Sequence, residues 1–174
     1  MSLDPVQLAF GDMEYEFAVT RKMLSRVPDD CFDWRPHKKS WTTGQLAGHT
    51  IDLFWFGAVI LEEDGLDMAK TWPRTEASTQ AELMAQYETY ETQLRKVLDR
   101  TTVDTLAEPW TLSHGPQVFF TEPKWVVFRR LGISHIIHHR AQLSVYLRMN
   151  DVELPGSYGP TADENSWLDY STAG

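Results

Sequence analysis

The sequence predicts an all-α fold: a four-helix bundle with long crossover connections and a short β-hairpin before the last long helix. Two observations lead there. Four segments repeat apolar residues at intervals of three and four, and the stretches between them are rich in turn formers. The composition agrees, with 42% hydrophobic and 24% charged residues in a chain of 174, enough for a packed core under a solvated surface. That length suits a single domain over residues 1–174.

The first helix opens at Asp4-Pro5, an acidic N-cap before proline at the first helical position. Its stripe is Val6, Phe10, Met13, Phe17 and Leu24, and Pro28 ends it. The second opens with Thr42-Thr43-Gly44-Gln45, a capping box, and its stripe is Leu46, His49, Leu53, Phe56 and Ile60. Gly65 is its expected stop. The third opens with a second box, Thr79 to Glu82, and carries Leu83, Tyr87, Tyr90, Leu94 and Leu98. The fourth follows Pro123 and runs to about Asn150, with Phe128, Leu131, His135, His139, Gln142 and Tyr146 inward. Residues 27–41, 65–78 and 100–122 connect them, the last with a hairpin around Gly115-Pro116. In the tail, Thr161 to Glu164 caps one short helix through Trp167 and Leu168.

Charge removes whole classes of function. With 25 acidic against 16 basic residues, the net charge of -9 repels phosphate backbones, so no nucleic-acid partner is expected. The longest apolar run, Leu53 to Leu61, falls well short of the roughly 20 residues that span a bilayer. No membrane partner is expected, and without an export signal the location expected is cytoplasmic. One cysteine allows no internal disulfide and no multi-cysteine zinc site. That residue, Cys31, lies among Asp29, Asp30 and Asp33, which disfavour a reactive thiolate.

Chemistry concentrates in the histidines. His135 and His139 stand four apart on a long helix, on one face and one turn from each other, close enough to chelate a single ion. His138 is rotated about 100° from His139, which leaves His135/His138 as the fallback pair. His49 lies on the inward stripe of another helix and is a natural third ligand across the bundle. Three neutral imidazoles on a divalent ion leave positions for water or substrate, the pattern of a catalytic site. The competing reading is three core histidines satisfied by hydrogen bonds. Position 136 is isoleucine, so the general base of a zinc protease is missing. Asp52, three residues after His49, is a candidate assistant or simply a solvated carboxylate. Nucleophile-elbow, dinucleotide and phosphate-loop motifs do not occur.

These residues resemble the DinB/YfiT superfamily of metal-binding four-helix proteins. The resemblance rests on Phe32 to Pro36 with Ser40-Trp41-Thr42, on Leu46-Ala47-Gly48-His49, on His135 to Leu143, and on Leu154 to Glu164. Ala141 stands where the family often has glycine, a change of one methyl that helix propensity favours. The resemblance implies a divalent metal on His49, His135 and His139, zinc or nickel first and iron or manganese next, often in a homodimer. Characterised relatives include transferases and isomerases that use small bacterial thiols. The expected function is therefore a metal-dependent enzyme that activates a low-molecular-weight thiol toward a small-molecule substrate. A hydrolase using activated water and a metal-containing binding or stress-related protein without turnover are the alternatives. Trp34, Trp41 and Tyr158, on the irregular segments tied to the site by the resemblance, are the expected pocket lining.

Overall fold

The computed structural model describes residues 5–164 and 167. The first periodic segment folds as two pieces, α1 (Pro5–Phe10) and α2 (Met13–Leu24). They part at Gly11, where an added Cβ would lie 2.4 Å from the Gln7 carbonyl oxygen. The stripe survives the break, since Phe10, Met13, Phe17 and Leu24 are all buried. Asp4, the expected cap, and most of the expected tail helix lie outside the described residues.

α3 (Thr43–Glu62) begins with the complete reciprocal box: Gln45 N–H donates to Thr42 Oγ1, and Thr42 N–H donates to Gln45 Oε1. α4 (Gln80–Leu98) has half of its box. Thr79 Oγ1 accepts from Glu82 N, but the Glu82 carboxylate turns back to Ser78 N instead of Thr79 N.

The hairpin expected around Gly115-Pro116 forms, but a further strand joins it, and this sheet of three strands corrects the all-α expectation. They are β1 (Gly65–Asp67), β2 (Pro109–His114) and β3 (Gln117–Pro123), with α5 (Val103–Ala107) before the hairpin. β2 and β3 pair antiparallel around Gly115, which has φ +54, with a bulge at Leu112/Ser113. β1 joins β2 in parallel, Gly65 opposite Thr111. Gly65 is therefore no helix stop. A Cβ there would fall 2.3 Å from the Thr111 carbonyl oxygen, so the strand pairing itself requires glycine. Trp110, fully buried, packs its ring on Phe56 and Phe120 and so fastens the sheet to α3.

The last helical segment comprises α6 (Lys124–Val127), a π-helical stretch Phe128–Ile133, and α7 (Ser134–Arg148). α3 packs on α4, on α7 and on the π stretch, while α2 packs on α4 and α7. One continuous core runs through these contacts, from Phe17 and Leu24 through Ile51, Phe54 and Leu94 to Leu143 and Leu147. At Gly57 the helices close up, since a Cβ would lie 3.1 Å from the Phe128 ring and 3.4 Å from Leu94. Among the described residues no helix is long and apolar enough to cross a membrane.

Candidate metal centre

The N-terminal half of α3 and the first turns of α7 bring His49, His135 and His139 together. Each offers one ring nitrogen, and the three atoms lie within 4.8 Å of one another. The rings are 4.6 Å (His49–His139), 5.3 Å (His49–His135) and 4.6 Å (His135–His139) apart by centroid. His138 sits beside His139 at 4.9 Å and outside this cluster. Of the two helical pairings, the structure forms the i, i+4 pair.

Electrostatics keep the rings neutral. Burial pushes His49 down to about 4, the rings of His139 and His135 add to that, and the Arg74 guanidinium adds further. Burial also lowers His135, with His139 and His138 contributing. For His139 burial outweighs the supporting bond to Gln142. Neutral imidazoles keep the lone pair that a metal needs near pH 7.

The proton arrangement is unresolved without a cation. Gln142 Oε1 only accepts, so at 2.8 Å it fixes the His139 proton on Nδ1 and leaves a lone pair on Nε2. That lone pair faces His135 Nε2 at 2.8 Å. If His135 donates there, its own Nδ1 is a bare acceptor, and Nδ1 is buried with no hydrogen-bond partner. If the proton moves to Nδ1, two lone pairs oppose each other across the gap. A divalent cation held by His135, His139 and His49 would take up the opposed lone pairs of the two α7 histidines. The donor set fits such an ion.

Two irregular segments frame this cluster. The carbonyls of Phe32 and Trp34 accept from the N–H groups of Gly44 and Thr43, so the 27–41 loop is docked on the start of α3. Trp41 then packs its ring against His49 at 4.7 Å and His139 at 5.7 Å while 46% exposed. Trp34 meets Tyr146 of α7 at 5.6 Å. Within residues 71–79, Thr75 meets α3 at Gly48, where a Cβ would lie 2.7 Å from the Thr75 carbonyl oxygen. Asp52 Oδ1 accepts from both the N–H and the hydroxyl of Thr75, at 2.8 and 2.7 Å. Asp52 thus fastens this segment, and burial raises its pKa.

Tyr158 takes a different place. Its hydroxyl accepts from Arg140 and donates to Glu16 Oε1, each at 2.8 Å. Its ring borders a cavity of about 390 Å³ lined also by Met23, Ile137 and Leu154, a lining that includes none of the three histidines. Arg140, 2% exposed, pairs with Glu16 at 2.7 Å and donates to Thr20, tying α2 and α7 to the tail. Sequence reading passed over this network, although Ile136, Arg140, Leu143 and Leu147 repeat at four, three and four. Cys31 is buried, and burial with the nearby Asp30 pushes its thiol upward, away from reactivity.

The family model of the DinB superfamily matches residues 13–143. Two Bacillus subtilis (strain 168) proteins are similar over most of their length. YjoA is 24% identical over 138 residues, 79% of this chain and 86% of its own; YrdA is 26% identical over 155 residues, 87% and 86%. The crystal structure of the DinB-like protein YjoA superposes with a TM-score of 0.68 at 20% identity, covering 86% of this chain and 97% of that one. A DinB-like protein from Bacillus cereus ATCC 10987 gives 0.65 at 22% identity, covering 86% and 95%. Those two likenesses concern the fold. With the family model spanning the helical body and both histidine-bearing segments, this chain belongs to the DinB superfamily.

Proposed function

We propose that the protein is a divalent-metal enzyme in which His49, His135 and His139 hold the ion and a low-molecular-weight thiol is the nucleophile delivered to a small electrophilic substrate. The observation that supports this most is the convergence of three neutral imidazoles, two of which oppose their Nε2 atoms at 2.8 Å. A divalent ion there supplies Lewis acidity that keeps a thiol deprotonated near neutral pH. Zinc and nickel suit three imidazoles best, with iron and manganese next.

The chain's own residues do the rest. Gln142 sets the His139 tautomer. Trp41 covers two of the rings and restricts water, with Trp34 extending the aromatic wall along α7. The hydrolytic alternative would use activated water at the same three histidines. Asp52, bonded to Thr75 through Oδ1, is its candidate assistant.

Metal analysis of protein purified without chelators tests the first half. The expected result is about one divalent ion per chain, falling severalfold in His49→Ala, His135→Ala and His139→Ala but not in His138→Ala. Wild-type protein that takes up none of zinc, nickel, iron or manganese would overturn it. Thiol consumption against a panel of electrophiles tests the second half, and a metal-loaded protein with no thiol turnover leaves the hydrolase and the binding role.

A further inference from the structure

The cavity of about 390 Å³ beside α7 has no part in the chemistry proposed for the histidines. Its wall on α7 is Ile137, Ala141 and Ser144, spaced by four and three. At about 100° per residue that stripe points away from His135 and His139. Met23, near the end of α2, and the loop from Leu154 to Thr161 complete the enclosure. The volume falls within the range of about 300–1,000 Å³ that holds small organic ligands.

The loop is braced rather than laid loosely over this space. Leu154 N–H donates to Asp163 Oδ2 at 2.8 Å, Gly156 N–H to Glu164 Oε1 at 2.9 Å, and Thr161 N–H to Glu164 Oε2 at 3.0 Å. Thr161 Oγ1 donates to the Leu154 carbonyl at 2.8 Å. The Tyr15 ring stacks on Tyr158 at 5.9 Å, and its hydroxyl donates to the Ser157 carbonyl. Such a wall does not have to be ordered when a ligand enters.

One charged group lines the cavity. Arg140 does so while only 2% exposed. Its Nη1 donates to Glu16 Oε2 at 2.7 Å and Thr20 Oγ1 at 2.9 Å, and its Nη2 to the Tyr158 hydroxyl at 2.8 Å. Among the described residues nothing accepts from Nε–H or from the second hydrogen of Nη2. Donors left without an acceptor in so buried a group are costly, and an incoming acceptor relieves that cost. The charge, in contrast, is already balanced by Glu16, whose other oxygen takes the Tyr158 hydroxyl at 2.8 Å. A second carboxylate on Arg140 would face Glu16 across one guanidinium with like charge. An uncharged oxygen meets no such repulsion.

We propose that this cavity binds an uncharged, mainly apolar small molecule whose carbonyl oxygen accepts from Arg140. The hydrocarbon part lies against Met23, Ile137 and Leu154, and the oxygen takes the unclaimed donors of the guanidinium. The site is distinct from the histidine cluster and stands whether or not the cluster holds a metal.

Two pairs of probes of matched shape test its two terms. Acetophenone and ethylbenzene differ in the carbonyl oxygen, and benzamide and benzoate differ in charge. Each is titrated into the ¹⁵N-labelled full chain, following the amide resonances of Ala141, Ser157 and Gly159. Saturable shifts are expected with acetophenone and benzamide, each binding about tenfold more tightly than its partner, the scale of one hydrogen bond to a charged donor. Ala141→Phe, which puts a ring into the cavity from an exposed position on α7, should abolish these shifts. Val145→Phe, one turn further on, exposed and outside the lining, should leave them intact. Arg140→Lys keeps a positive charge facing Glu16 but loses the fork, and should bring acetophenone and ethylbenzene to equal affinity. If that variant does not fold, the wild-type ratios and Ala141→Phe decide the outcome. Amides unmoved by all four probes, or shifts that persist in Ala141→Phe, overturn the site. Ethylbenzene binding as tightly as acetophenone overturns the role of Arg140, and benzoate binding more tightly than benzamide overturns the uncharged ligand class.

Discussion

The three histidines could be found from spacing, but what tunes them could not. His135 and His139 stand out because i, i+4 on a helix places two rings on one face, and His49 because it interrupts an apolar stripe. Gln142 was visible only as a member of that stripe; that it fixes a tautomer depends on a 2.8 Å contact. Gln142→Ala should therefore weaken metal affinity about 10- to 100-fold while leaving the fold intact, as read by competition with a chromophoric chelator. The depressed pKa of His49 gives a second prediction. Above its ordinary value of 6.5 the ring is neutral in folded and unfolded chains alike, and stability is indifferent to its titration. Below it the unfolded chain takes up a proton that the folded site refuses until about pH 4. Metal-free protein should accordingly lose stability as pH falls from 6.5 toward 4, and His49→Asn should flatten that part of the profile in urea denaturation.

At the level of elements, helices with a strong apolar repeat were legible and short or phase-shifted ones were not. β1 is three residues long, too short for alternation to register, and its existence depends on a parallel partner 46 residues away at Thr111. The last helix shows the subtler failure. A regular 3.6-residue repeat places Phe128, Leu131, His135, His139, Gln142 and Tyr146 on one inward face, but the π-helical stretch shifts the phase before α7. Ile136, Arg140, Leu143 and Leu147 then take the core together with His139, while His135 and His49 stay half-buried at its margin. That margin suits a site with an open side. The packing of residues 71–79 on α3 makes its own prediction. Gly48→Ala would drive a methyl to 2.7 Å from the Thr75 carbonyl, a backbone atom that cannot rotate away. The variant should lose about 1–3 kcal/mol in denaturant titration, typical of overpacking. It should also release Thr75 from Asp52, visible as faster hydrogen exchange at the Thr75 amide.

For the whole molecule, the candidate ligands join elements that the chain keeps far apart. His49 belongs to α3, His135 and His139 to α7, and the two helices are separated in sequence by the sheet and α4. An ion bound by all three cross-links them only in the folded state, so its free energy of binding adds to folding stability. At a free metal concentration of 100 times Kd the gain is about 2.7 kcal/mol. Yet the core that packs α3 against α4 and α7 involves no histidine: Ile51, Phe54, Ala58, Leu94 and Leu143 are all fully buried without one. The Arg140–Glu16 pair and Tyr158 tie α2, α7 and the tail independently of the cluster. Chelation should therefore lower the melting temperature by several degrees and leave the far-ultraviolet circular dichroism at 25 °C essentially unchanged. Collapse of the helical signal on chelation would make the ion a structural one, as in a zinc finger. An unchanged melting temperature would mean that the three imidazoles do not share an ion. A shift that vanishes in His49→Ala would assign it to the link between α3 and α7, because the two histidines of α7 alone cross-link nothing.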